Sequence, residues 1–260
     1  MPIRAQSALP AFPNPEKRRL VLATDLDGTF LGGPEESRLE LYRWIEDNRD
    51  AVALIFVTGR DLPFIRDLVA ATPVPQPDFV IGDVGTTIAG GAEIVPMEEL
   101  EAPIAAIWND AGPRMRALME GTPGLTLQPT PFRYRLSYFY DPTSPPIEAK
   151  ARVEAEGFDC LMSADLYFDI LPRGISKGPT LIRLVEHLGL PPEAVLVAGD
   201  TLNDLSLFET GFAGVAVGNS EPALRARLAD LPNTRLSEHP GAAGILDALA
   251  RRGLITEAAQ

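Results

Sequence analysis

The chain has little histidine, little cysteine, little basic charge and no long apolar run. Two histidines and one cysteine occur in 260 residues. A single cysteine, Cys160, excludes an internal disulfide framework and suits a reducing compartment; it reads as a small buried hydrophobe. His187 falls in a helical pattern and His239 in a loop, and both read as structural. No apolar stretch reaches the ~20 residues that span a bilayer. Lys and Arg together number 23 against 36 Asp and Glu, a formal net charge of -13. That balance repels nucleic acid and anionic lipid, so neither is an expected partner. An anionic substrate would need a local cation or a metal. The first 18 residues carry several prolines and no apolar signal core, so they read as a loose leader and the protein as cytoplasmic.

Hydrophobic residues make up 45% and charged residues 23% of the chain. Those shares are ordinary for a globular protein, and the length allows one or two domains. Leu20 to Ala23 is a short apolar run that fits a strand buried on both faces, and it leads into Asp25 and Asp27. Leu41, Trp44 and Ile45 mark a helix. Ala51 to Val57 is a second buried strand ending in Thr58-Gly59-Arg60. Ile65, Leu68 and Val69 mark another helix, broken by Pro73, Pro75 and Pro77. Phe79 to Ile81 is a third strand, ending in Gly82-Asp83-Val84-Gly85. Alternating strands and helices predict an α/β fold, a Rossmann-like doubly wound parallel sheet.

The pattern changes near residue 98. Ile104, Ile107 and Trp108 start a helix that is expected to run to about Met119. Leu125 to Leu127 reads as a short strand. Arg133 to Tyr140 alternates, with Tyr134, Leu136, Tyr138 and Tyr140 on one face and Arg133, Arg135 and Ser137 on the other. Period-two alternation predicts a sheet with one wet face. A helix from Pro145-Pro146 to Gly157 follows, then strands at Cys160 to Ser163 and Leu166 to Leu171. This order predicts a small α+β domain inserted at 98–172 between two parts of the core, 1–97 and 173–260. The first pattern then resumes. Leu181, Val185 and Leu188 mark a helix, Ala194 to Ala198 a strand ending in Gly199-Asp200-Thr201-Leu202-Asn203-Asp204, and Gly214 to Val217 another strand.

Ligands of parallel sheets bind beyond the carboxyl ends of the strands. Those ends carry Asp25 and Asp27, Thr58, and Asp200 with Asn203 and Asp204. Ser176-Lys177-Gly178 opens a helix nearby in the pattern. If the strands are neighbours, four carboxylates, a hydroxyl, an amide and an ammonium meet at one edge. Close carboxylates repel unless a cation neutralises them, and oxygen-only ligation points to Mg²⁺. One of the acids could act as a nucleophile, and a lysine point charge suits phosphate.

These segments resemble the haloacid dehalogenase superfamily of phosphatases. Asp25-Leu26-Asp27-Gly28-Thr29, Thr58, Lys177 and Gly199-Asp200 through Asn203-Asp204 stand in the family's order across the whole core. The insertion sits where that family places a type-II cap, and its element order is similar to the small cap (type IIB) of the sucrose-phosphate phosphatase branch. Asp169-Ile170-Leu171-Pro172 and Arg135-Leu136-Ser137-Tyr138 add to the likeness. Gly28 departs from the asparagine common there, and residues 75–82 are similar to mannosylfructose-phosphate enzymes. The resemblance implies a Mg²⁺-dependent sugar-phosphate phosphatase, with sucrose-6-phosphate first and mannosylfructose-phosphate or glycosylglycerate-phosphate as alternatives. It implies Asp25 as nucleophile and Asp27 as acid and base. Thr58, Gly59 and Lys177 would hold phosphate, and Asp25, Asp27, Asp200 and Asp204 the metal. Asn203 would support Lys177. In the cap, Arg133, Arg135, Ser137 and Asp169 are the candidate sugar contacts. A small-molecule partner and a monomer or small homo-oligomer are expected.

Two other readings compete. Gly174-Ile175-Ser176-Lys177-Gly178 matches the G-x-S-x-G nucleophile elbow, with Asp200 and His239 following in esterase order. An elbow needs a strand running straight into the serine, and Pro172-Arg173-Gly174 interrupts it. A phosphoacceptor signalling domain also combines acids, a threonine and a lysine, but is about half this length and has no such insertion.

Overall fold

A computed structural model describes residues 19–255, so the expected leader lies outside the described residues. Strands are β1 (Leu20–Thr24), β2 (Val52–Val57), β3 (Phe79–Gly82), β4 (Thr87–Gly90), β5 (Val95–Pro96), β6 (Leu125–Leu127), β7 (Leu136–Tyr140), β8 (Asp159–Ser163), β9 (Tyr167–Leu171), β10 (Val195–Gly199), β11 (Ala213–Ala216) and β12 (Thr234–Leu236). Helices are α1 (Glu35–Asp47), α2 (Leu62–Ala71), α3 (Glu98–Trp108), α4 (Gly112–Met119), α5 (Ile147–Ala155), α6 (Lys177–Leu188), α7 (Leu205–Phe208), α8 (Pro222–Leu228) and α9 (Ala242–Arg251).

The main sheet has the order β12-β11-β10-β1-β2-β3-β4-β5. Its first six strands are parallel, and β4 and β5 fold back antiparallel at one edge. Alternate side chains of each central strand enter two different cores, which is why these strands read as unbroken apolar runs. Leu20, Leu22, Leu54 and Phe56 pack with α1, α2 and α9 on one face. Val21, Ala23, Ile55, Val57 and Val197 pack with α6, α7 and α8 on the other. Full burial of one such side chain contributes about 1.5–3 kcal/mol. The result is a three-layer α/β unit in which β1 lies at the centre. Thr24 pairs with Phe56 on one side and Ala198 on the other, so the segments after β1, β2 and β10 open at the same sheet edge.

The second sheet has the order β6-β7-β9-β8 and is antiparallel throughout. Its inner face, with Leu136, Tyr138, Tyr140, Phe168 and Ile170, packs on α4 and α5 through Met115, Met119, Ala149 and Val153. Three expectations change here. The helix from Ile104 to Met119 is two helices, because Asn109 and Asp110 take left-handed backbone (φ 45 and 54) that turns the chain. The Arg133 to Tyr140 strand begins only at Leu136. The expected wet face is closed: Arg135, Ser137 and Asp169 are all buried. In addition, Leu100 and Ile104 of α3 pack into the core beneath the main sheet, while Trp108 at its end packs with the second sheet. Helix α3 therefore bridges the two units. Among the described residues, no helix is long and apolar enough to cross a membrane.

Candidate active site

After β1 the chain winds through one wide turn, with Phe30 N–H on the Asp25 carbonyl and Leu31 N–H on that of Leu26. The turn needs a left-handed residue at position 28, where Gly28 has φ +81. A Cβ there would also stand 2.1 Å from Asp200 Oδ2. Asparagine tolerates the φ, but would require Asp200 to move. This is what Gly28 in place of asparagine changes.

Asp25 is buried at the C-terminal end of β1. Lys177, at the first turn of α6, is completely buried. Its Nζ donates to Asp25 Oδ1 at 2.7 Å, to Asn203 Oδ1 at 2.8 Å and to Asp204 Oδ1 at 2.6 Å, so its three protons have three acceptors. Asp204 also accepts, on Oδ2, the backbone N–H groups of Asp200 and Thr201, both at 3.0 Å. Asp200 Oδ1 accepts Thr29 Oγ1–H at 2.8 Å. Asp25, Asp200 and Asp204 each offer an oxygen, all within 4.8 Å of one another.

These three buried carboxylates face one ammonium. Burial pushes Asp25 well above the usual carboxylate range, against the pull of Lys177. Burial, then the charge of Asp204, pushes Asp200 up to about 7. Burial alone would lower Lys177; Asp204 and Asp25 hold it above the ordinary lysine value. The site is thus short of positive charge, and its donors are all oxygen. That set fits a hard divalent ion such as Mg²⁺.

Asp27 goes elsewhere. Its carboxylate is exposed and is gripped by Arg60, with Nε at 2.8 Å and Nη2 at 2.9 Å. It is not part of the three-carboxylate cluster. Arg60 lies over the Phe64 ring, 4.4 Å from its centroid. Thr58 is fully buried at the end of β2, its N–H on the Ile81 carbonyl. Gly59 and Arg60 follow it at the rim of a cavity of about 290 Å³. Asp25, Asp27 and Asn203 line the floor of that cavity, and Arg135, Ser137 and Asp169 its roof. Its size is near the lower end of the ~300–1,000 Å³ of small-molecule sites.

Arg133 is the expected cap residue that does not line the cavity. It forms a two-pronged ion pair with buried Glu101, at 2.9 and 2.6 Å, which ties the second sheet's entry to α3. Arg60, Gln128, Thr130 and Tyr167 were not expected and line the cavity. Thr58-Gly59-Arg60 had signalled a strand end, so Arg60 was within reach of that signal; Gln128 had none. The esterase elbow fails on geometry: β9 ends at Leu171, before the serine, and His239 lines a separate groove beside α9.

A parallel sheet whose central strand ends in Asp25, with Lys177 and Asp200 beside it and a small α+β unit above, belongs to the sucrose-phosphatase-like branch of the haloacid dehalogenase superfamily. Residues 18–252 match the sequence profile of one group within it. The chain belongs to the sucrose-6F-phosphate phosphohydrolase family. It is 39% identical over 239 residues to a glucosylglycerol-phosphate synthase of Pseudomonas anguilliseptica, covering 91% of this chain and 31% of that protein. It is 30% identical over 258 residues to sucrose-phosphatase 2 of Nicotiana tabacum, covering 91% of this chain and 60% of the relative. The chain therefore spans less than two thirds of either relative's length. The X-ray structure of sucrose-phosphatase from Synechocystis sp., in complex with sucrose and phosphate, superposes with a TM-score of 0.82 at 27% identity. The match covers 90% of this chain and 98% of that one.

Proposed function

We propose that the chain is a Mg²⁺-dependent phosphomonoesterase acting on a glycosyl phosphate, with sucrose-6-phosphate as the first candidate. The observation that carries this reading is the union of Asp25, Lys177, Asp200 and Asp204 in one buried cluster, with Asp25 opening onto a cavity that has a polar roof. Asp25 attacks phosphorus in line and forms an aspartyl-phosphate, and the sugar oxygen leaves. Asp27 delivers a proton to that oxygen and then takes one from the hydrolytic water. For this it must leave the grip of Arg60, which holds it in the free protein. Thr58 donates to the phosphoryl oxygens, where charge spreads in the transition state, and Lys177 does so with the proton it gives Asp25 in the free protein. Asn203 and Asp204 fix Lys177 for that task. Asp25, Asp200 and Asp204, with the main-chain carbonyl of Asp27, are the residues that would hold Mg²⁺. When bound, the ion screens Asp25 from the anionic ester.

The unit around the second sheet, within residues 98–172, acts as the cap. Ser137, Asp169 and Gln128 supply hydroxyl, carboxylate and amide groups to the sugar end of the cavity, chemistry suited to a polyol. A second reading, a glucosylglycerol phosphate, is favoured by the 39% identity to a synthase named for that product. Phosphate release from sucrose-6-phosphate, mannosylfructose-phosphate and glucosylglycerol phosphate, with Mg²⁺ and with EDTA, tests both. Turnover of one or more with Mg²⁺, abolished by EDTA, is expected. Absence of release from all three, or release indifferent to EDTA, refutes the reading.

A further inference from the structure

We propose that Arg135 and Asp83 form a positioning pair that sets the phosphate loop, Thr58 to Arg60, and Lys177 in register with the sugar-holding cap. The inference rests on the phosphatase reading above. Arg135 leaves the second sheet and crosses to the core: Nη1 donates to Asp169 Oδ1 at 2.9 Å, and Nη2 donates to the Gly59 carbonyl at 2.8 Å. Its guanidinium is buried and lies 3.7 Å from the centroid of the Phe132 ring. On the core side Nη2 stands 3.8 Å from Asp83 Oδ1. Asp83 is itself buried and does not line the cavity, so it cannot touch a substrate there.

Asp83 begins an unusual turn. Asp83, Val84 and Gly85 have φ values of +52, +59 and +101, three left-handed residues in a row. Such strain persists only where the surroundings over-determine it. Here they do. Asp83 N–H donates to the Arg60 carbonyl and Val84 N–H to that of Thr58, both at 3.0 Å. Gly85 lies against the start of α6: a Cβ on it would be 2.4 Å from the Ser176 carbonyl carbon, and Thr180 Oγ1 donates to the Gly85 carbonyl at 2.8 Å. One turn therefore touches both the phosphate loop and the helix start that presents Lys177.

The cap end of the chain of contacts begins at the sugar. Gln128 Nε2 donates to Ser137 Oγ at 2.8 Å, Ser137 lies opposite Asp169 on the neighbouring strand, and Asp169 holds Arg135. Arg135 Nε and Asp83 Oδ1 are both buried without a hydrogen-bond partner among the described residues. Buried polar atoms left unmade are unfavourable, and at 3.8 Å this ion pair is one step from a direct hydrogen bond. Cap closure on a sugar tightens it and pulls Thr58 and Lys177 into place. Asp83 and Arg135 act through other residues and are positioning residues, not catalytic ones.

Steady-state kinetics of Asp83→Asn, Arg135→Lys and the double variant on the preferred sugar phosphate test this. Asparagine tolerates the left-handed φ, and thermal melts establish that each variant is folded. Each single change should lower kcat about 10- to 100-fold with KM within about twofold, the scale of a lost charge-assisted hydrogen bond. The double variant should be no worse than about twofold below the weaker single one, since both break one link. Wild-type kinetics in Asp83→Asn, a lower melting point with kcat intact, or additive losses would each overturn the pair. A raised KM alone in Arg135→Lys would mean that Arg135 binds sugar directly, and would overturn it too. A wild-type protein inert on every sugar phosphate refutes the phosphatase reading and this inference with it, whereas an active wild type matched by Asp83→Asn refutes the inference alone.

Discussion

Replacing Lys177 by methionine keeps the length and packing of the side chain and removes its charge. Lys177 is completely buried and serves Asp25, Asn203 and Asp204 at 2.6–2.8 Å. Without it, three buried carboxylates face one another with no cation. Removing one partner of a buried ion pair destabilises by about 3–5 kcal/mol. The upper part of that range is expected here, because one ammonium answers two carboxylates. Urea unfolding in EDTA, followed by tryptophan fluorescence, reads the loss. Trp44 packs beside the main core and Trp108 in the second-sheet core, so both units are monitored. The midpoint should fall by about 1–2 M urea for typical slopes. Saturating Mg²⁺ should restore part of the loss, because an ion that binds only the folded state adds stability by mass action. Phosphate release should fall at least about 100-fold, the scale of one lost oxyanion donor. A stability loss below about 1 kcal/mol in EDTA, on that same scale, would refute the charge argument.

Asp25→Asn should do the opposite to stability. It removes a carboxylate that burial holds far above its usual range, so the melting temperature should rise in EDTA while phosphate release disappears; a normal rate ends the proposed mechanism. Asp200, pushed up to about 7, binds a proton in the folded state that it gives up near pH ~4 when unfolded. Its stabilising contribution is full below that lower value and is lost as pH rises through about 7. The metal-free protein should therefore melt lower at pH ~7.5 than at pH ~5.5. Mg²⁺ should raise the melting point more at the higher pH, and Asp200→Asn should flatten the difference; an unchanged pH dependence in that variant would show that Asp200 does not titrate this way. Ser137→Ala should raise KM for the sugar phosphate several-fold. Arg133→Ala should lower the melting temperature through Glu101 and leave KM within about twofold; a large KM change would return Arg133 to the sugar site.

Much of the site was legible because parallel sheets put their ligands at one edge. Apolar runs ending in Asp25, Thr58 and Asp200 announced that edge, and Lys177 at a helix start completed it. The strands that were missed are weak in pattern for physical reasons. In β4, Gly90 has the Phe79 ring 2.7 Å from where its Cβ would be, so the contact that holds it is made by absence of a side chain. Strand β12 is three residues with Leu236 exposed, and periodicity cannot register it. The alternation of Arg133 through Tyr140 was real, but alternation does not say what covers each face. Arg133 turned to Glu101 and Arg135 to Gly59, choices set by tertiary partners more than 30 residues away. Asp27 could be placed beside Asp25 by spacing, yet its turn toward Arg60 depends on a residue from the next strand's end.

The central claim is that Asp25 takes the phosphoryl group. Quenching the enzyme during turnover of a sugar phosphate with Mg²⁺, reducing with borohydride and sequencing the peptides by mass reads this directly, since reduction converts an aspartyl-phosphate to homoserine. Homoserine at position 25 is the predicted result. Phosphate release with an unmodified Asp25, or with phosphate retained on Ser176, would contradict the account.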